Sequence, residues 1–189
     1  MPPPRLREGD ALLLVDVQRD FCPGGALAVP GGDTVVPVLN RWIEAAEAAG
    51  VPVFATRDWH PPDHVSFEAQ GGPWPPHCVQ GTEGADFHPD LALPDDAVIV
   101  SKATTPDEEA YSGFEGTGLA GLLRAAGVRR VFVGGLATDY CVRATALDAR
   151  REGFGVHLIE DGHRGIAEDT SEAALAEMSE AGVTVDGGQ

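Results

Sequence analysis

Val131-Phe132-Val133-Gly134-Gly135-Leu136-Ala137-Thr138-Asp139-Tyr140-Cys141 decides the fold, because a short apolar run passes through two glycines into residues able to start a helix. A brief apolar run bounded by turn residues reads as a buried strand, and Thr138 or Asp139 offers a side-chain oxygen to cap the helix that follows. That helix runs to about Glu152, with Gly153 as its stop. The same alternation extends in both directions. Further β-type runs lie at 11–17, 51–56, 97–101, 156–160 and 183–185. Helical patterns start at Asp33 or Thr34 and run to Ala49, start at Thr117 and stop at Gly127, and open at Asp169-Thr170 and end near Gly182. Strands alternating with helices of this length imply a mainly parallel central sheet with helices on both faces, so the expected class is α/β.

Size and composition narrow the function. A chain of 189 residues is long enough for one well-buried core and too short for two ordinary domains, so a single domain over 1–189 is expected. The longest apolar runs, 11–15 and 131–133, are far below the length that spans a bilayer. The opening Met-Pro-Pro-Pro-Arg lacks the apolar stretch of a secretory signal, which points to a cytoplasmic protein. A formal charge of −17 repels nucleic acid and anionic membrane surfaces, so neither is an expected partner. Three cysteines, Cys22, Cys78 and Cys141, make an odd number without a disulfide framework and read as free thiols.

In open parallel sheets, ligands bind beyond the carboxyl ends of the strands. Asp16 falls near the end of the first strand, Asp58 and His60 at the end of the second, Lys102 just past the third and Cys141 just past the fourth, so all five converge on one edge. Two long irregular stretches, 20–32 and 59–93, exceed ordinary connections and are of the kind that carries function. The second holds His60, His64 and His77. A lone histidine in a polar loop is more often a surface residue, but three with Asp58 inside twenty residues point to a metal. Carboxylate plus imidazole suits zinc, iron or manganese better than calcium or magnesium, which favour all-oxygen shells. Cys141, in the first turn of a helix, is placed like a nucleophile whose thiolate the free N–H groups stabilise; the alternative is an inert buried thiol. Asp16 and Lys102, each costly to bury alone, would satisfy one another as an ion pair.

The chain resembles the nicotinamidases of the isochorismatase-like hydrolase superfamily over nearly its whole length. The matching stretches include Val15-Asp16-Val17-Gln18-Arg19-Asp20-Phe21-Cys22, Asp58-Trp59-His60-Pro61, Trp74-Pro75-Pro76-His77-Cys78-Val79-Gln80-Gly81-Thr82, Lys102-Ala103, Tyr111-Ser112-Gly113-Phe114 and Ala137-Thr138-Asp139-Tyr140-Cys141-Val142. The resemblance implies an isochorismatase-like hydrolase fold and a catalytic triad of Asp16, Lys102 and Cys141. It implies one divalent metal, zinc first with iron or manganese as alternatives, on Asp58, His60 and His77, with His64 as a further ligand. It also implies a non-proline cis peptide before Ala137, the N–H groups of Ala137 and Cys141 forming an oxyanion hole. The activity implied is hydrolysis of nicotinamide, a small aromatic amide, to nicotinate and ammonia through a cysteine thioester, with Phe21, Trp74 and Tyr111 against the substrate ring. Competing readings are an amidase for a carbamoyl or ureido substrate, and a catalytically silent metal-binding or partner-binding protein of the same fold. Tyr140 stands where close relatives can carry histidine, which bears on substrate preference. Whether the protein is a monomer or a homo-oligomer stays open.

Overall fold

The computed structural model describes residues 5–186; the opening Met-Pro-Pro-Pro, read above for its lack of an export signal, lies outside the described residues. Among the described residues, six strands form one parallel sheet: β1 (Asp10–Val15), β2 (Val53–Asp58), β3 (Val98–Lys102), β4 (Arg130–Leu136), β5 (Gly155–Arg164) and β6 (Thr184–Asp186). Their spatial order is β3-β2-β1-β4-β5-β6. The chain therefore starts at the centre, winds to one edge, and returns to wind to the other. The order reverses between β1 and β4, and a reversal of this kind opens a crevice at the carboxyl ends of the two strands.

The expected α/β class is what the chain adopts, and strand periodicity explains how. Leu12 and Leu14 of β1 join Val53, Ala55 and Phe132 under the helix α1 (Val35–Ala49), which contributes Val35, Val36, Leu39, Trp42, Ile43 and Ala46. The alternate residues Ala11, Leu13 and Val15 join Phe54, Val131 and Val133 on the other face. That face is covered by α2 (Leu119–Ala125), α3 (Arg143–Arg151) and α4 (Glu168–Glu180), through residues such as Leu123, Ala146 and Met178. With both faces covered, successive residues must all be apolar, hence the unbroken run from Ala11 to Val15. Among the described residues no helix is long and apolar enough to cross a membrane.

Several boundaries differ from the sequence pattern, each for a local reason. β1 stops at Val15 instead of 17, because Asp16 takes a left-handed φ of 49° and turns the chain off the sheet. β2 reaches Asp58, two residues beyond the apolar run, since its pairing with β3 continues through Asp58 and Lys102. Thr34 does not cap α1; its hydroxyl donates back to Gly31 O at 2.6 Å, and a 3₁₀ turn over Gly32–Thr34 leads in. Asp139 does not cap the helix after β4 either. A π turn, Thr138–Val142, precedes α3, and the Asp139 carboxylate instead accepts the N–H groups of Ile166 (3.0 Å) and Ala167 (3.2 Å) and the Thr170 hydroxyl (2.7 Å). It ties the turn after β4 to the start of α4.

Gly135 is a position of β4 that requires glycine. It has φ 132°, and a Cβ there would fall 2.0 Å from Val15 O, so β1 and β4 approach closely at the crevice because a side chain is missing.

Candidate active site

Four strand ends deliver four groups to the crevice: Asp16 directly after β1, Asp58 as the last residue of β2, Lys102 as the last of β3, and Cys141 in the π turn after β4. Asp16 and Ala103 both adopt left-handed φ, 49° and 51°, so the chain breaks sharply from β1 and from β3 at this edge. Non-glycine residues in that region cost about 1–3 kcal/mol each, and such strain gathers at functional sites.

Lys102 is the hub of the cluster. It is only 1 % exposed, and its Nζ lies 2.9 Å from Asp16 Oδ2, 2.5 Å from Asp58 Oδ1 and 3.6 Å from Cys141 Sγ. Thr56 Oγ1 donates to Asp16 Oδ1 at 2.8 Å. The Asp16 Oδ2–lysine contact is an ion pair without the alignment of a hydrogen bond, so this buried oxygen keeps a lone pair for another donor.

Burial opposes the Lys102 ammonium, but the two adjacent carboxylates outweigh it and hold the pKa well above that of an ordinary lysine. Burial likewise opposes ionisation of Asp58, and there Lys102 and His60 win, holding the carboxylate below its usual range. At Asp16 burial wins over Lys102, and the pKa is raised. At Cys141 burial again dominates, reinforced by Asp16 and Asp58 against Lys102, and pushes the thiol well above its usual value. The sequence reading of a standing thiolate at a helix start is corrected here. The sulfur rests protonated, beside a carboxyl group whose raised pKa suits it to take the proton.

The second cluster shares Asp58. Its Oδ2 lies 3.4 Å from His60 Nε2 and 3.8 Å from His77 Nε2, and one ligand atom from each of the three residues falls within 4.8 Å of the others. His60 Nδ1 faces Ala103 O at 3.0 Å and His77 Nδ1 faces Pro75 O at 2.8 Å. A carbonyl accepts only from N–H, so both rings carry a proton on Nδ1 and present Nε2 to Asp58, the nitrogen that can hold either a proton or a cation. One carboxylate and two such imidazoles fit a borderline divalent cation such as zinc.

His64 stands apart from this trio. Its Nδ1 meets Ser66 Oγ at 2.6 Å and its Nε2 meets Glu108 O at 2.5 Å, while its ring stacks on that of His60 at 4.1 Å between centroids. Both nitrogens are engaged by protein, so the structure gathers three of the four expected donors, with His64 as a flat support for His60.

The pocket above these clusters contains all three aromatic residues expected there, Phe21, Trp74 and Tyr111. Phe21 packs on His77 at 5.6 Å, and Trp74 Nε1 donates to the Tyr111 hydroxyl at 3.2 Å. Ala137 lines the same pocket, and the Leu136–Ala137 peptide is cis. Tyr140 closes the aromatic group, 5.3 Å from Trp74 and 5.7 Å from Tyr111. Leu27, Val29 and Ile166 also line it; Leu27 and Val29 belong to the stretch Gly24-Gly25-Ala26-Leu27-Ala28-Val29 that shares the family resemblance, but nothing in the sequence places any of the three in the pocket.

Two polar residues that the sequence offers only as parts of longer stretches shape the loops. Asp20 accepts Cys78 N–H at 2.8 Å and Ala26 N–H at 3.1 Å, binding the first irregular stretch to the second just beyond His77. Gln80 donates to Trp59 O and Thr104 O, both at 2.9 Å, and its own N–H to His60 O at 2.7 Å. All three cysteines are free, and Cys22 and Cys78 are buried with thiol pKa values that burial raises.

His163 gives the protein a pH dependence outside these clusters. Its Nδ1 lies 2.7 Å from Thr138 Oγ1, and burial lowers its pKa, as it does for His64 and His77. A histidine of the unfolded chain titrates near 6.5, so on acidification below about that pH the unfolded state takes up protons before the folded one. The melting temperature of metal-free protein is therefore expected to fall as pH drops from 7 to 5. Thermal scans of His163→Gln should show a shallower fall.

The chain belongs to the isochorismatase family, whose domain it matches over residues 10–187. Within that range of relatives, the nicotinamidase of Escherichia coli (strain K12) is 43% identical over 206 residues, spanning 97% of this chain and 94% of that protein. Among solved structures, the pyrazinamidase of Pyrococcus horikoshii in complex with zinc superposes with a TM-score of 0.92 at 56% identity, covering 94% of this chain and 98% of that one. PnC1 from L. infantum, in complex with nicotinate, does so with a TM-score of 0.89 at 40% identity, covering 98% and 96%.

Proposed function

We propose that this protein is a metal-dependent amidohydrolase that converts nicotinamide to nicotinate and ammonia. One observation carries the reading: a nucleophile cluster and a metal-ligand cluster share a single carboxylate, Asp58, beneath one aromatic-lined pocket. A heterocyclic amide has two handles, a ring nitrogen for a Lewis acid and a carboxamide for a nucleophile, and the two clusters match them. The nicotinamidase relative, and the neighbours bound to zinc and to nicotinate, support the same assignment. Three free cysteines suit a reducing compartment, in line with a cytoplasmic enzyme of small-molecule salvage.

Asp16 takes the proton of the Cys141 thiol, and Lys102 stabilises the negative charge that appears on sulfur and carboxylate. The sulfur attacks the carboxamide carbon, and the backbone N–H groups of Ala137 and Cys141 hold the oxyanion. Asp16 returns its proton to the leaving ammonia. It then deprotonates a water that opens the thioester, releasing nicotinate and restoring the thiol. Phe21, Trp74 and Tyr111 enclose the ring and exclude bulk water. Held by Asp58, His60 and His77, a divalent cation, zinc by preference, supplies a Lewis-acidic anchor for the ring nitrogen.

The test is ammonia release from nicotinamide by purified protein, before and after chelation and again after zinc is restored. Activity should vanish with chelation and return with zinc. Absence of ammonia from metal-replete protein would overturn the assigned reaction, and indifference to chelation would overturn the metal's part in it.

A further inference from the structure

The geometry points to Gln18 as a positioning residue that sets Asp58 in place, and through Asp58 the spacing between the metal ligands and Lys102; the inference rests on the metal reading above. A residue in a parallel strand turns its own N–H and C=O toward the same neighbour. Along β2 the side facing β1 is served as far as Thr56, whose carbonyl accepts Asp16 N–H at 3.1 Å. The side facing β3 is served at the next turn of the pleat, where Trp59 N–H reaches Lys102 O at 3.2 Å. Asp58 faces β1, but there is no β1 left to meet it, because the chain has left the sheet at Asp16.

The Gln18 carboxamide fills that place. Its Oε1 accepts Asp58 N–H at 2.9 Å and its Nε2 donates to Asp58 O at 2.8 Å, so it presents to Asp58 the donor and acceptor of the missing peptide group. The second N–H of the amide goes to Ala85 O at 2.9 Å, anchoring the clamp in the loop behind the site. Gln18 is 0 % exposed, so water offers none of these bonds in its absence. No other side chain of this length both donates and accepts: glutamate lacks the donors and methionine lacks everything but the shape.

The consequence falls on the Asp58 carboxylate, which has no freedom to spare. One oxygen contacts the Lys102 ammonium at 2.5 Å while the other faces His60 and His77 at 3.4 and 3.8 Å. A small rotation of the Asp58 backbone moves both oxygens at once, opening the ligand set and loosening the lysine together. Residues that orient a metal ligand from behind typically change metal affinity by about 10–100-fold when replaced.

The experiment compares parent protein, Gln18→Met and Gln18→Asn, measuring zinc affinity by competition with a chromophoric chelator and the visible absorption of the cobalt(II)-substituted proteins. The asparagine variant keeps the amide but withdraws it by one methylene, and covers the case in which the methionine variant does not fold. The expected result is zinc affinity at least tenfold weaker in a folded variant, with a cobalt spectrum altered from that of the parent. A purely structural role would lower the melting temperature without moving that spectrum. Affinity weakened less than tenfold, or an unaltered cobalt spectrum, overturns the inference. Failure of both variants to fold also overturns it, since Gln18 would then determine the fold and not the metal geometry. A parent protein that binds no zinc sinks the metal reading itself, an outcome distinct from a parent that binds zinc and variants that match it.

Discussion

Cys141→Ala is expected to abolish ammonia release from nicotinamide while leaving the protein folded. Catalysis by this arrangement passes through a bond to sulfur, and no other side chain of the cluster replaces it. Asp16 and Asp58 are held as partners of Lys102, and the remaining thiols, Cys22 and Cys78, lie outside the pocket lining and are buried. Removing a nucleophile from a triad-like unit typically lowers kcat by about 10⁴–10⁶-fold, because the remaining groups act only through it. Folding should change little, since the substitution deletes one buried atom from a small residue of the buried cluster that also holds Val15, Val142 and Ala146. A loss of about 1 kcal/mol is the scale for such a change. The ammonia assay and a thermal scan on one preparation check both halves. Retained turnover would remove Cys141 from the mechanism; collapse of the fold would make the residue structural.

Much of this site was legible because burial leaves a mark in the sequence. A carboxylate or an ammonium at the end of an apolar run is anomalous, and Asp16 and Lys102 stand out for that reason. Their common location follows from topology alone, since all strands of a parallel sheet release their carboxyl ends on one edge. What could not be read was set by partners remote in sequence. His64 looks like a fourth ligand until Glu108 O, 44 residues away, is seen to occupy its Nε2. Asp139 looks like a cap until the N–H groups of Ile166 and Ala167 claim it. The thiolate at a helix start was a sound local inference that neglected complete burial beside two carboxylates, which reverses the direction of the shift. Gln18 stands in the sequence only as one member of a matching stretch, because its part depends on where β1 ends, and the apolar run 11–17 overstates that by two residues.

Lys102→Met should produce the largest change in stability, and its pH dependence should reveal the cause. The parent cluster holds one ammonium between two carboxylates at depths water does not reach, with Lys102 and Asp16 side chains both 0% exposed. Removing the cation leaves two buried, uncompensated acids, and breaking a buried pair in this way costs about 3–5 kcal/mol. For a chain of this size that corresponds to a fall in melting temperature of roughly 6–20 °C. In the parent, Lys102 holds the Asp58 pKa below the ordinary carboxylate range, so this part of the stability is complete above about pH 4 and is lost on further acidification. Without Lys102, burial at Asp58 is opposed by His60 alone, and at Asp16, where burial already prevails, the opposing cation is gone, so both pKa values rise. The folded variant then binds protons more tightly than the unfolded chain, and its stability falls as pH rises from about 4 through the elevated folded values. The deficit relative to the parent should therefore be larger at pH 8 than at pH 5. Paired thermal scans of metal-free parent and variant at those two pH values make the comparison. Equal deficits at both would mean that the lysine is needed for packing alone, and a melting temperature within about 2 °C of the parent at pH 8 would mean that the two carboxylates do not depend on it for their charge.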